Sequence, residues 1–284
     1  MRALRSWLLR RPSGPRVTPV EERAVTISRR GTEIEATYQV AYNNRRPIHR
    51  PVHRTLTLPT RFYDDRRHLL EANPPVTNHD LVALWLYARL LDQTTKKRVV
   101  IAEFGVWHGA FLESLAIHAS ATGKELVLWG FDGFDAGFPD IAEPIDLRSR
   151  PRDDYAHAVA ASVPSSADEV SRRLARYAAV VDVHLVRGDI TKTPPRPTAF
   201  DLVHFDMDFY AAFAPAMAWL ENVHQTTIAV DDYYQPSWVG IVDAVNEFAE
   251  KHRLFPVNLS DYFRIERSLR TQWIALLLPL RDMP

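Results

Sequence analysis

Phe200–Tyr210, FDLVHFDMDFY, and Thr226–Tyr234, TTIAVDDYY, decide how this chain is read. In each, a short apolar run with β-branched or aromatic residues reads as a strand buried inside a parallel sheet, and each run ends in acid: Asp206-Met207-Asp208 and Asp231-Asp232. Neighbouring strands lie about 4.8 Å apart. If these two are neighbours, their carboxylates converge at the carboxyl edge, where open α/β sheets bind ligands. Crowded carboxylates repel, and a hard divalent cation with oxygen ligands relieves the repulsion. Mg²⁺ is the usual choice where waters and substrate oxygens complete the shell. The competing reading is that the acids cap the helices that follow, since Asp is a preferred N-cap.

Working outward, the chain alternates strand and helix. Strands are expected at Arg98–Phe104, Glu125–Phe131, Val181–Val186, Phe200–Phe205 and Thr226–Val230. Helices are expected from Thr77 onward, then at Gly109–Ala121, Tyr210–Asn222 and Val239–His252. Leu254–Leu259 and Thr271–Leu278 read as two more strands with no room for a crossover helix, hence antiparallel to each other. The expected fold is therefore α/β: a doubly wound, seven-stranded, mostly parallel sheet with one reversed strand. A long insertion from Asp132 to about Tyr177 should carry a helix of its own, with Ser166 and Glu169 as a capping box. Ahead of this domain, residues 24–42 read as a β-hairpin. Residues 43–60, NNRRPIHRPVHRTLTLPT, rich in Arg, His and Pro, read as an irregular arm. The division is an appendage over residues 1–75 and a main domain over 76–284, with the insertion at about 133–180.

Composition narrows the chemistry. The 284 residues carry 35 basic and 35 acidic side chains, a balance that argues against a general nucleic-acid or membrane-surface binder. There is no cysteine, which excludes disulfides, thiolate metal sites and cysteine nucleophiles, so oxygen or imidazole must hold any metal. The basic first residues include only the short apolar stretch Trp7–Leu9, too short for a signal peptide, and no segment reaches transmembrane length. The expectation is a cytoplasmic protein with a small-molecule substrate; either a monomer or a homo-oligomer fits.

Glu103–Ala110, EFGVWHGA, joins the first strand to its helix. Gly105 and Gly109 there let backbone approach a ligand beside free helical N–H groups. The spacing is not the dinucleotide fingerprint. Asp132, ending the second strand, is at the right distance to accept hydrogen bonds from ribose hydroxyls. Gly188-Asp189 ends the third, so Asp189 is either a third polar group on this rim or a turn aspartate. His204 and His184 lie in strands expected to be buried and read as satisfied core histidines.

Four stretches, EFGVWHGAFL, FDGFDAGFPD, DMDFY and VDDYYQPSWVGIVDAVNEF, resemble the TylF or macrocin-type O-methyltransferases, over about Leu81 to His252. That resemblance implies a Rossmann-like class I methyltransferase fold and S-adenosylmethionine with Mg²⁺. The acceptor it implies is a hydroxyl of a sugar or glycosylated natural product. It implies Asp206, Asp231 and Asp232 as metal ligands, Asp208 as general base, and Glu103, Gly105, Gly109 and Asp132 around the cofactor. His108 and Ala110 depart from the family's usual Arg and Gly. The same chemistry on a catechol-like molecule, and a catalytically silent nucleotide-binding or assembly protein, are the alternatives; silence sits poorly with so many acids at one sheet edge.

Overall fold

Strands buried on both faces must carry apolar residues on both, and the runs around residues 100, 128 and 203 do so. The computed structural model of the chain describes residues 25–30, 32–43, 46–72, 76–77, 81–134, 144–146, 165–192, 197, 199–234, 239–264 and 274–279. Its first sheet is antiparallel, with β1 (Val25–Arg30), β2 (Glu33–Asn43) and β3 (Arg46–Pro59) in that order and a register shift between Val40 and Tyr42. The hairpin is as expected. The segment expected to be an irregular arm is instead a third strand, paired along most of β2 from Glu33↔Pro59 to Asn43↔Arg46. Proline is tolerated on such an edge strand, and a long partner supplies the ladder that local composition does not advertise. Two short helices, α1 (Thr60–Asp64) and α2 (Arg67–Leu70), lead into the main domain.

There the second sheet has seven strands: β4 (Arg98–Phe104), β5 (Glu125–Asp132), β6 (Val181–Arg187), β7 (Leu202–Phe205), β8 (Thr227–Val230), β9 (Leu254–Asn258) and β10 (Ala275–Pro279). Their order is β6-β5-β4-β7-β8-β10-β9. β10 slots between β8 and β9, antiparallel to both, and is the one reversed strand. One face carries Ile101, Leu128, Leu202 and Leu276 against α3 (Leu81–Gln93) and α4 (Ala110–Thr122). The other carries Phe104, Val203, Phe205 and Val230 against α6 (Tyr210–Ala218) and α7 (Val239–His252). On that second face Phe104 stacks between Phe131 and Phe205, with ring centroids 4.8 and 4.7 Å away. This ladder ties three adjacent strands together just below their carboxyl ends; each ring adds about 1.5–3 kcal/mol by burial. α6 stops at Ala218 rather than Asn222, which itself takes a left-handed conformation. Among the described residues no helix is long and apolar enough to cross a membrane.

The insertion does carry a helix, α5 (Ala167–Leu174). Ser166 stands at its N-cap, but its side chain makes no cap hydrogen bond, so the expected capping box is not formed. A buried carboxylate anchors α5 instead. Glu113 of α4, fully buried, accepts hydrogen bonds from Arg173 Nε at 2.7 Å and Tyr177 Oη at 3.4 Å, lies 2.5 Å from Arg173 Nη2, and meets His68 Nε2 at 3.0 Å. Burial pushes the Glu113 carboxyl up, but His68 and Arg173 outweigh it and hold the group below its ordinary range. A depressed carboxyl stabilises the fold above its unfolded pKa, and this stabilisation is lost as pH falls through the folded value. Glu113→Gln is expected to cost about 3 kcal/mol at neutral pH, since it leaves Arg173 without its charge partner. Urea melts of variant and wild type at pH 7 and pH 3.5 check this: the gap should shrink at the lower pH.

Candidate active site

The ladder carries one residue past the ends of β7 and β8. The Asp206 N–H donates to the Phe104 carbonyl at 2.8 Å and the Asp231 N–H to the Phe205 carbonyl at 2.8 Å. With Phe205 opposite Val230, Asp206 and Asp231 stand side by side. Beyond the strand the chain keeps alternating. Val203, Phe205, Met207 and Phe209 all pack into the α6/α7 core, which leaves His204, Asp206 and Asp208 for the opposite face.

None of these acids stands at the N-cap position of the helix that follows it. Phe209 is the N-cap of α6 and makes no side-chain cap bond; the Tyr210 N–H donates instead to Asp146 Oδ1, at 3.0 Å, from the insertion. Asp231 and Asp232 lie seven or more residues ahead of Val239, where α7 begins. What the acids do share is a charge problem. Removal from water, then the neighbouring carboxylates of Asp231, Asp208 and Asp232, push the half-buried Asp206 carboxyl well above its ordinary range.

Among the described residues, the group able to converge on one cation is His204, Asp206 and Asp231, whose donor atoms all lie within 4.8 Å of one another. Asp232, expected as the third ligand, is not in this group; its backbone turns left-handed there, with φ 55°. His204 is in it, against the expectation of a merely satisfied core histidine. The ring is fully buried between Phe111 (4.2 Å) and Tyr87 (4.9 Å), and its Nδ1 lies 3.3 Å from Glu103 Oε1. Its place was legible from the alternation that runs back from Asp206. Tyr87 had no such signal; burial and the charges of Asp231, Asp206, Glu103 and Asp232 push its hydroxyl well up. His184, the other expected core histidine, is only half-buried, with its ring stacked on Trp129.

Around the first loop each residue also has close protein neighbours. Glu103 is 2% exposed and faces His204; among the described residues its Oε2 has no hydrogen-bond partner. Gly105 and Gly109 have φ of 88° and 71°. What approaches them is protein. A Cβ on Gly105 would overlap the Asp206 carbonyl oxygen, and one on Gly109 would come within 2.6 Å of Val170. Gly105→Ala is accordingly expected to cost on the order of 3–5 kcal/mol, through strain at positive φ and displacement of the Asp206 backbone; a thermal melt reads this directly.

Asp132 is the staple of this loop. Its Oδ2 accepts from the backbone N–H groups of Val106 (2.7 Å) and Trp107 (2.8 Å), and its Oδ1 from that of Phe134 (2.5 Å). A carboxylate offers about four acceptor positions, so one remains for a ligand hydroxyl. Two further features suit a polar ligand here: α4 begins at Gly109 without a side-chain cap, and His108 Nε2 is buried with no hydrogen-bond partner among the described residues. Asp189 reaches the same carboxyl edge, but its own turn occupies it. Lys192, the Thr191 hydroxyl and the Thr191 N–H hold it and draw its pKa down to about 2. Past the second acid pair, the Tyr233 hydroxyl donates to Asn246 and Tyr234 is exposed.

No protein-family model matches the chain, and no curated protein matches it in sequence. Solved structures do. The O-methyltransferase NovP aligns with a TM-score of 0.52 at 18% identity, covering 75% of this chain and 88% of its own. CalS11, a calicheamicin methyltransferase, aligns with a TM-score of 0.50 at 23% identity, covering 76% and 90%. At these identities the likeness concerns the backbone. With its mostly parallel seven-stranded sheet, single reversed strand and flanking helices, the chain has the Rossmann-like class I methyltransferase fold.

Proposed function

We propose that this protein is an S-adenosylmethionine-dependent, divalent-cation-dependent O-methyltransferase of the TylF type, acting on one of two neighbouring hydroxyls of a sugar or glycosylated small molecule. The observation that carries this is the crowding of Asp206 with Asp231, Asp208 and Asp232 at the carboxyl edge, beside the Asp132-stapled loop. The activities named for NovP and CalS11 support the same reaction class.

Within it, the loop from Gly105 to Gly109 and the start of α4 bind the methyl donor, Asp132 offers its remaining acceptor position, and His108 its buried ring nitrogen. Asp206 and Asp231 would hold a divalent cation, which when bound would lower the pKa of the reacting hydroxyl. Asp208, on the face shared with Asp206, accepts the hydroxyl proton. The alcohol oxygen then bonds to the methyl carbon as its bond to sulfur breaks, and the electron pair stays on sulfur. Holding oxygen and methyl in line is the larger part of the protein's contribution.

The test is incubation with labelled S-adenosylmethionine and a panel of glycosides, free sugars and catechols, with and without Mg²⁺ or Mn²⁺. Methyl transfer to a glycoside or sugar is the expected result; transfer only to catechols would reassign the acceptor. S-adenosylhomocysteine should raise the Tm by mass action, with a smaller rise in Asp132→Ala. A chain that binds NAD and neither form of this cofactor is not a methyltransferase.

A further inference from the structure

We propose that His204, steadied by Glu103, is a nitrogen ligand of the cation, and that the site therefore takes a first-row transition dication in preference to Mg²⁺. The inference rests on the acid rim being a cation site, as proposed above.

Geometry supplies the first reason. His204 stands opposite Glu103 in the β4–β7 pairing and has Asp206 two residues on along the same face, so one imidazole touches a buried carboxylate on one side and the rim on the other. Its donor atom lies within 4.8 Å of those of Asp206 and Asp231. Ligand atoms about 2.1 Å from a common ion are at most about 4.2 Å apart, so small torsional adjustments close the shell. Because Nδ1 meets Glu103 Oε1 at 3.3 Å, the ring's other nitrogen is the donor this proposal assigns to the ion. Carboxylate–histidine–metal is the recurrent arrangement by which proteins fix the tautomer and raise the basicity of a ligating imidazole.

Charge supplies the second. Glu103 is 2% exposed, and its Oε2 finds no hydrogen-bond donor. Ionising this carboxyl behind an imidazole and close to the acid rim is costly without a compensating charge. A dication bound by the imidazole and both rim acids balances it. The donor type then selects the ion: Mg²⁺ wants an octahedron of oxygens and keeps its waters, whereas imidazole favours Mn²⁺, Fe²⁺, Co²⁺ or Zn²⁺ over it.

The experiment uses the full chain stripped of metal and reloaded with Mn²⁺ as probe. Pulsed EPR reads nitrogen coupled to the ion, and calorimetry with S-adenosylhomocysteine serves as fold control. Expected are ¹⁴N modulation in the wild type, its loss in His204→Asn, and Mn²⁺ affinity at least about tenfold above that of Mg²⁺. Because His204 is buried and its variant risks misfolding, Glu103→Gln is the second probe. It should keep the modulation while Mn²⁺ affinity falls by about 10–100-fold. Mn²⁺ binding without ¹⁴N modulation in the wild type overturns the imidazole ligand and leaves the acid site standing. Failure to bind Mn²⁺ at all overturns both. Modulation that persists in folded His204→Asn, or unchanged Mn²⁺ affinity in Glu103→Gln, removes the roles given to those two residues.

Discussion

EDTA is expected to abolish methyl transfer by this protein, and Asp231→Asn to reproduce the loss with cation present. Asp231 follows β8 directly, and its N–H is tied to the Phe205 carbonyl at 2.8 Å, so its carboxylate has a set place beside Asp206. Replacing it by an amide would remove one of the two anionic ligands proposed for the site. The expected loss is about 10³-fold or more in kcat, the several kcal/mol that a Lewis acid contributes to such a reaction. Affinity for S-adenosylhomocysteine, read by calorimetry, should change little, because Asp132 holds the loop from Gly105 to Gly109. Undiminished turnover in EDTA would sink the cation-dependent mechanism.

Asp208→Asn is expected to keep both cation and cofactor affinity yet lose on the order of 10²–10⁴ in kcat, the usual worth of a positioned base. The separation of roles between Asp206 and Asp208 follows from the extended backbone beyond β7. Met207 and Phe209 are buried in the α6/α7 core, and that turns both acids to the other side, one residue-pair step apart. Asp206→Asn should instead weaken cation binding first, with rate partly restored at high cation concentration. It should also raise the Tm of the cation-free protein at pH 7. A carboxyl held above its unfolded pKa contributes stability that is complete in acid and is lost as pH climbs through the folded value. A neutral amide does not suffer that loss. Rescue of Asp208→Asn by cation, and none for Asp206→Asn, would exchange the two roles; mild effects from both would remove the segment from the mechanism.

The alternation of strand and helix in the main domain, one reversed strand in the closing pair and the acid-tipped ends of β7 and β8 were all legible in the chain itself. Each is a local property: an apolar run, a period, or the residue that follows it. The same alternation pointed from Asp206 back to His204, yet a single buried histidine reads as core until its neighbours are known. Those neighbours came only with the tertiary structure. Glu103 meets His204 from 101 residues away, Asp146 caps α6 from 64 residues away, and Asp132 ties down a loop 25 and 26 residues before it. Period two fixes which side of a strand a residue takes, but not what a crossover brings to that side. For the same reason the third strand of the first sheet was missed. Its composition argues for a loop, and only the ladder along β2 makes it a strand. The glycines make the point most sharply: their positive φ fits the turn they sit in, whereas the need for hydrogen at Gly105 comes from a carbonyl at the end of another strand.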